Sequence, residues 1–207
     1  MFDAASGRLS ASGRSPYNSL LKRLIVINLC SIIRCARFPS YGPGGLDLRH
    51  EADRRSLTAH ERYMAQALTE AEKARHSGEI PVGAVVVKDG VIIARGHNER
   101  ESKKDSTLHA EMTAIRMACK VLDSWRLTDC DLYVTLEPCT MCAGAIIQAR
   151  IRNLYIGTSD LKAGAAGSVI DVFRVNAFNH KVEVSWGLLE EECSAVLKEF
   201  FSELRER

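Results

Sequence analysis

Cys139 and Cys142, in the run Thr135-Leu-Glu-Pro-Cys139-Thr-Met-Cys142-Ala-Gly-Ala145, constrain this chain more than any other feature. Residues three apart are neighbours on a helix, so a helical Cys-x-x-Cys turns two thiolates toward one point. Some thirty residues earlier comes Leu108-His109-Ala-Glu111. One His and two Cys make three ligands suited to zinc, and three ligands leave a tetrahedral ion one open position, as a catalytic rather than a structural centre requires. Glu111, two residues beyond the histidine, is the candidate proton carrier for water at that position. Whatever the fold, it must bring residue 109 against residues 139–142.

The local pattern agrees with a metal centre. Pro138 suits the first turn of a helix, where a missing N–H costs nothing. Thiols near a helix N-terminus are acidified by the dipole and by free N–H groups. Residues two apart diverge on a regular helix, so His109 and Glu111 serve one site only if a helix begins within a residue or two of His109. Alone, a Cys-x-x-Cys reads as readily as a structural zinc half-site or a redox pair, and a lone His-x-Glu says almost nothing. Together, in this order and with Pro before the first Cys, they form the H-x-E…P-C-x-x-C signature of zinc nucleobase deaminases. The ligand types are compatible with iron as well.

The elements around these motifs read as an α/β domain. Thr58 with Glu61 forms a capping box. Met64, Leu68, Ala71 and Ala74 follow on one helical face, and Gly78 ends the helix. Ile80–Val87 and Val91–Ala94 flank Asp89-Gly90, a strong hairpin signal, after which Arg95-Gly-His-Asn98 leaves as a polar loop. A helix is expected from His109 to about Val121, with Met112, Ile115, Cys119 and Leu122 as its buried stripe. Leu132–Leu136 is a strand leading into a second helix that runs to about Ala149. Asn153–Gly157 and Val182–Ser185 are further strands, and Leu188–Leu204 is a terminal helix. Strands alternating with helices at this spacing predict a layered α/β domain with a mainly parallel sheet behind one hairpin. The ligands fall at strand-to-helix junctions, where open α/β sheets bind their ligands. Asp160-Leu-Lys162-Ala-Gly-Ala-Ala-Gly-Ser168 is a small-residue loop that offers little to a core.

Charge divides the chain in two. Residues 1–59 carry a net +5, and the remainder −3. Any nucleic acid bound by the second part must therefore be held by a local patch rather than by the overall field; Lys103, Lys104, Arg150, Arg152, Lys162 and Arg174 are candidate phosphate contacts. Residues 1–57 form an N-terminal extension, expected to be disordered or foreign to the native protein, with residues 58–207 as the zinc-dependent domain. The extension's basic, Ser-containing composition superficially resembles an organelle transit peptide, and Leu24–Ile33 after Lys22-Arg23 resembles a signal-peptide core without a clean cleavage site. Tyr41-Gly-Pro-Gly-Gly45 reads as a linker. Seven cysteines, two of them metal ligands and Cys119, Cys130 and Cys193 in apolar patterns, suggest a reducing compartment. No segment approaches the roughly 20 apolar residues of a membrane span.

From about His60 to Leu204 the sequence resembles the bacterial tRNA-specific adenosine deaminases, of the cytidine-deaminase-like superfamily. The likeness extends past the zinc motif to Pro81-Val-Gly-Ala-Val85, Gly96-His-Asn98, Lys162-Ala-Gly-Ala-Ala-Gly-Ser168, Asn179-His180 and Phe200-Phe201. The zinc core is shared with guanine, cytosine, deoxycytidylate and riboflavin-pathway deaminases, and the Gly-Ala-Ala-Gly-Ser loop, Asn-His and Phe-Phe set the tRNA enzymes apart. The resemblance implies a three-layer α/β/α fold with a central mixed five-stranded sheet. It implies hydrolytic conversion of adenosine to inosine at the wobble position (34) of a tRNA anticodon, typically in an arginine tRNA with anticodon ACG. A cytoplasmic homodimer is implied, with one zinc ion per subunit and the tRNA anticodon stem-loop as partner. His109, Cys139 and Cys142 would bind zinc, and Glu111 would shuttle the proton. Asn98 would hydrogen-bond the flipped nucleotide, and Asp160, Lys162, Asn179, Phe200 and Phe201 would hold or stack the anticodon loop. Taken alone, adjacent Phe residues on a terminal helix are more often core, but two neighbours cannot share one inward face. The alternative is a deaminase of a free base or nucleoside such as guanine or cytosine.

Overall fold

The computed structural model describes residues 57–206. The expected extension, residues 1–57, lies outside the described residues except for its last position. Among the described residues five helices and five strands follow in order: α1 (Ala59–His76), β1 (Gly83–Lys88), β2 (Val91–His97), α2 (Arg100–Lys103), α3 (Ala110–Leu122), β3 (Cys130–Leu136), α4 (Thr140–Gln148), β4 (Asn153–Thr158), β5 (Glu183–Ser185) and α5 (Glu190–Arg205). The capping box is present at α1, where Thr58 accepts from the Glu61 N–H while the Glu61 carboxylate accepts from the Thr58 N–H.

The sheet order is β2-β1-β3-β4-β5. β1 runs antiparallel to both β2 and β3, while β3, β4 and β5 are mutually parallel. The sheet is therefore mixed, with the parallel strands β3, β4 and β5 behind the β1–β2 hairpin, as expected: α3 links two strands of like direction, β2 and β3, and β1 alone lies reversed between them. Pleating sends alternate side chains to opposite faces. Ala84, Val86, Leu132 and Val134 meet α3 and α4 through Ala110, Ala114, Ile115, Ala118 and Ile146. Val85, Val87 and Tyr133 meet α1 and α5 through Met64, Ala67, Leu68, Cys193 and Val196. The result is three layers, α/β/α.

Two expectations shift in register. β2 does not leave the sheet at Arg95 but pairs with β1 as far as His97. Gly96 makes this possible, because a Cβ there would lie 2.3 Å from the Ala110 carbonyl oxygen and 2.6 Å from the Ala114 nitrogen. The buried stripe of α3 is accordingly Ala110, Ala114, Ile115 and Ala118, with Glu111, rather than Met112, Cys119 and Leu122. Small residues let that helix lie directly on the strand, and the larger ones fall at its border.

Candidate active site

Two helix starts meet at the end of the sheet. His109 is the N-cap of α3, in an extended conformation (φ −75°, ψ 158°), as the His109/Glu111 spacing predicted. Cys139 is the N-cap of α4, also extended (φ −74°, ψ 175°), so Pro138 lies just outside that helix rather than in its first turn. The extended N-caps aim both side chains back past the helix ends, and Cys142, in the first turn of α4, comes up beside them. The ligand atoms of His109, Cys139 and Cys142 all lie within 4.8 Å of one another. Nδ1 of His109 is 3.7 Å from Sγ of Cys139 and 3.5 Å from Sγ of Cys142. A tetrahedral ion with Zn–S of about 2.3 Å and Zn–N of about 2.0–2.1 Å would set these separations at about 3.6 Å. The donor set and its spacing fit zinc.

The thiols are electrostatically coupled. Cys139 is pushed down to about 3, chiefly by the hydrogen bond from Cys142, against burial and with help from His109. Cys142 is pushed up by the same bond and by its burial. His109 is raised, first by its contact with the Cys139 sulfur. One thiolate is thus ready-made at two positive helix ends, and a divalent cation would ionise the second outright. Glu111 is 3% exposed. Burial raises its carboxyl to about 7, partly opposed by His109, and its side chain is in hydrogen-bonding contact with Cys142. A carboxyl poised near neutrality beside an incomplete ligand set is suited to carrying protons both ways.

Asn98 is buried, and its Nδ2 lies 3.4 Å from both the Glu79 carboxylate and the Ile80 carbonyl. Glu79, 1% exposed, also accepts the backbone N–H groups of Glu101 and Ser102 at 3.1 and 2.7 Å. Burial opposes its ionisation, but these bonds outweigh it and hold the carboxyl below the usual range.

The 158–168 loop is seated on the turn before α4 through Pro138 and Cys139, and it is built around Glu137. This carboxylate, 2% exposed, accepts N–H bonds from Asp160 (3.0 Å), Ala166 (2.9 Å) and Ser168 (3.1 Å). It too is held below the usual carboxylate range, the hydrogen bonds overcoming burial. The small residues that offered little to a core are there because Ala165 and Ala166 are buried and Gly164 leaves room for the carboxylate. Neither Glu79 nor Glu137 stands out in the sequence; the only signal is an acidic residue preceding Ile-Pro-Val-Gly in one case and Pro-Cys in the other.

The remaining expected residues are more dispersed. Lys162 and Phe201 line one groove of about 470 Å³ with Ser194, Lys198, Leu204 and Arg205. The Asp160 carboxylate accepts the N–H groups of Lys162 and Ala163. Phe200 is half-buried and Phe201 is 40% exposed, their rings edge to face at 5.5 Å. Exposed Asn179 accepts from Arg150 at 2.7 Å, and among the described residues no hydrogen bond joins it to the other expected site residues. Among the cationic candidates, Arg150 is engaged there, while Arg152 pairs with Asp131, Arg174 with Asp171 and Lys104 with Glu101.

Comparison with known proteins places this geometry among deaminases. Residues 58–205 match the MafB19-like deaminase family. The tRNA-specific adenosine deaminase of Bacillus subtilis is 49% identical over 73% of this chain and 94% of its own length. The chloroplastic tRNA(adenine(34)) deaminase of Arabidopsis thaliana is 48% identical over 73% of this chain, though that covers 13% of the plant protein. A structure determined in work on A-to-I editing by tRNA:A34 deaminases is similar at TM-score 0.64 and 48% identity, covering 66% of this chain and 99% of the other. The guanine deaminase of Nitrosomonas europaea is similar at TM-score 0.59 and 28% identity, covering 72% and 87%.

Proposed function

The chain belongs to the MafB19-like deaminase family, and from that premise we propose that it hydrolytically converts adenosine to inosine at wobble position 34 of a tRNA anticodon, typically in an arginine tRNA with anticodon ACG. The observation that carries the reading is the convergence of His109, Cys139 and Cys142 beside buried Glu111, in a chain 49% identical to a tRNA-specific adenosine deaminase. His109, Cys139 and Cys142 would hold one zinc ion per subunit. When bound, that ion supplies a Lewis acid that makes water acidic enough to ionise near neutral pH.

The chain's own residues do the rest. Glu111 accepts a proton from water as the water oxygen adds to C6 of adenine, and delivers that proton to N1. It then carries the second proton to the C6 amino group, whose bond to C6 breaks to release ammonia. The buried Asn98 amide orients the base in the site. Removing a base from its stack costs least in a single-stranded loop, and Phe201, exposed beside Lys162, offers a face to recover part of that cost. Two such subunits forming a homodimer in the cytoplasm complete the proposal; no described helix is long and apolar enough to cross a membrane.

The purified protein is to be incubated with an arginine tRNA of anticodon ACG and, separately, with free adenosine, guanine and cytidine. Ammonia release is followed, and inosine is located by sequencing. Inosine confined to position 34 supports the proposal. Turnover of a free base with untouched tRNA keeps the metal chemistry and discards the RNA substrate.

A further inference from the structure

We propose that Glu137 is a positioning residue, whose buried carboxylate fixes the 160–168 loop against the metal-binding turn and thereby sets the RNA-facing side of the site in register with the ligands. The inference rests on the tRNA reading above. Glu137 is two residues before Cys139, on the segment that delivers both cysteines. Every hydrogen bond given to its carboxylate comes from the one loop: Asp160 to one oxygen at 3.0 Å, Ala166 and Ser168 to the other at 2.9 and 3.1 Å. The loop's middle is seated just as closely. Gly164 bridges Cys139, and the Ala165 N–H donates to the Pro138 carbonyl at 2.8 Å. A Cβ on Gly164 would lie 2.2 Å from a Glu137 oxygen.

A buried carboxylate is an expensive way to fill space, and it persists where its oxygens are fully used. Here they are used to order backbone that has few large side chains to order itself. The consequence runs outward by bonds. Glu137 fixes the Asp160 N–H, the Asp160 carboxylate fixes the Lys162 and Ala163 N–H groups at 2.9 and 3.2 Å, and Lys162 lines the groove it shares with Phe201. The metal ligands have their own frame, the starts of α3 and α4. Loss of the Glu137 charge should therefore loosen substrate binding while sparing the metal.

The test compares full-length, zinc-loaded wild type with Glu137→Gln and, independently, Gly164→Ala. The second variant keeps the carboxylate but denies the loop its seat, and it carries the test should the first fail to fold. Three quantities are read: zinc per chain, backbone amide exchange across 160–168, and KM and kcat on the anticodon stem-loop of an arginine tRNA with anticodon ACG. Both variants are expected to retain one zinc, to exchange the Ala166 and Ser168 amides faster, and to raise KM about tenfold, as for one lost bond to a charged group, with kcat changing less than KM. Zinc loss, or a fall in kcat at unchanged KM, would make Glu137 part of the metal frame and overturn the proposal. Unchanged amide exchange would overturn it equally, whether or not the wild type acts on RNA. A wild type that yields no inosine while exchange speeds up in both variants would discard the tRNA reading and leave the loop anchor standing.

Discussion

Glu111 and Cys142 touch, yet their removal should fail in different ways. Glu111→Gln keeps the volume and the three ligands but cannot take up a proton, so zinc content and melting temperature should match wild type while kcat falls about 10²–10⁴-fold, the usual worth of a positioned acid–base group. Normal turnover by that variant would reassign the proton carrier. Cys142→Ala instead removes a ligand from a set of three. Zinc per chain, measured by elemental analysis after gel filtration, should drop with activity, and stoichiometric zinc would refute the ligand assignment. The meeting of His109, Cys139 and Cys142 was legible in the sequence because metal chemistry dictates residue type and spacing. Glu79 and Glu137 were not, because a carboxylate satisfied by backbone N–H groups from a distant loop leaves no pattern of its own.

At the scale of elements, the position of His109 depends on how closely α3 lies on β2. Gly96→Ala would put a Cβ 2.3 Å from the Ala110 carbonyl, within the first residue of the helix that His109 caps. Overpacking of this kind costs about 1–3 kcal/mol, which should lower the melting temperature by several degrees and weaken zinc retention together. Gly144→Ala is the control, since nothing lies within 4 Å of its Cβ and it sits inside α4, where alanine is favoured by about 1 kcal/mol. It should be neutral or stabilising in the same thermal melt, and equal destabilisation by both variants would refute the close-packing account. The same contact explains what the sequence showed and what it hid. The hairpin, the α1 cap and all five strands were readable from turn residues and apolar runs. Of the expected α3 stripe Met112, Ile115, Cys119 and Leu122, Ile115 is buried and Cys119 and Leu122 pack at the core's border, because hydrophobicity ranks large residues first, whereas a helix pressed onto a glycine-bearing strand buries its alanines. β2 was read short for a related reason: Arg95-Gly-His looks like a loop until Gly96 is seen to face a helix backbone.

At the scale of the whole molecule, the uneven charge sets the terms of RNA binding. Residues 60–207 carry −3 overall, several of their surface arginines are paired with carboxylates, and the family match begins at residue 58. Residues 58–207 alone should therefore deaminate at the full-length rate, and an inactive truncation would show that the basic extension belongs to the binding apparatus. Salt dependence reports the same partition quantitatively. The groove offers three cations, Lys162, Lys198 and Arg205, and each phosphate neutralised on a single strand contributes a slope of about −0.7 in log K against log salt. Three contacts predict a slope near −2 for anticodon stem-loop binding, measured by fluorescence anisotropy with the Glu111→Gln variant to prevent turnover. Each of Lys162→Ala and Lys198→Ala should flatten that slope by roughly 0.7. Phe201→Ala should weaken binding by about 1–3 kcal/mol through lost stacking and leave the slope unchanged, since it carries no charge. A slope several times steeper in the 58–207 fragment would mean that the RNA is gripped by a wide basic surface outside this groove.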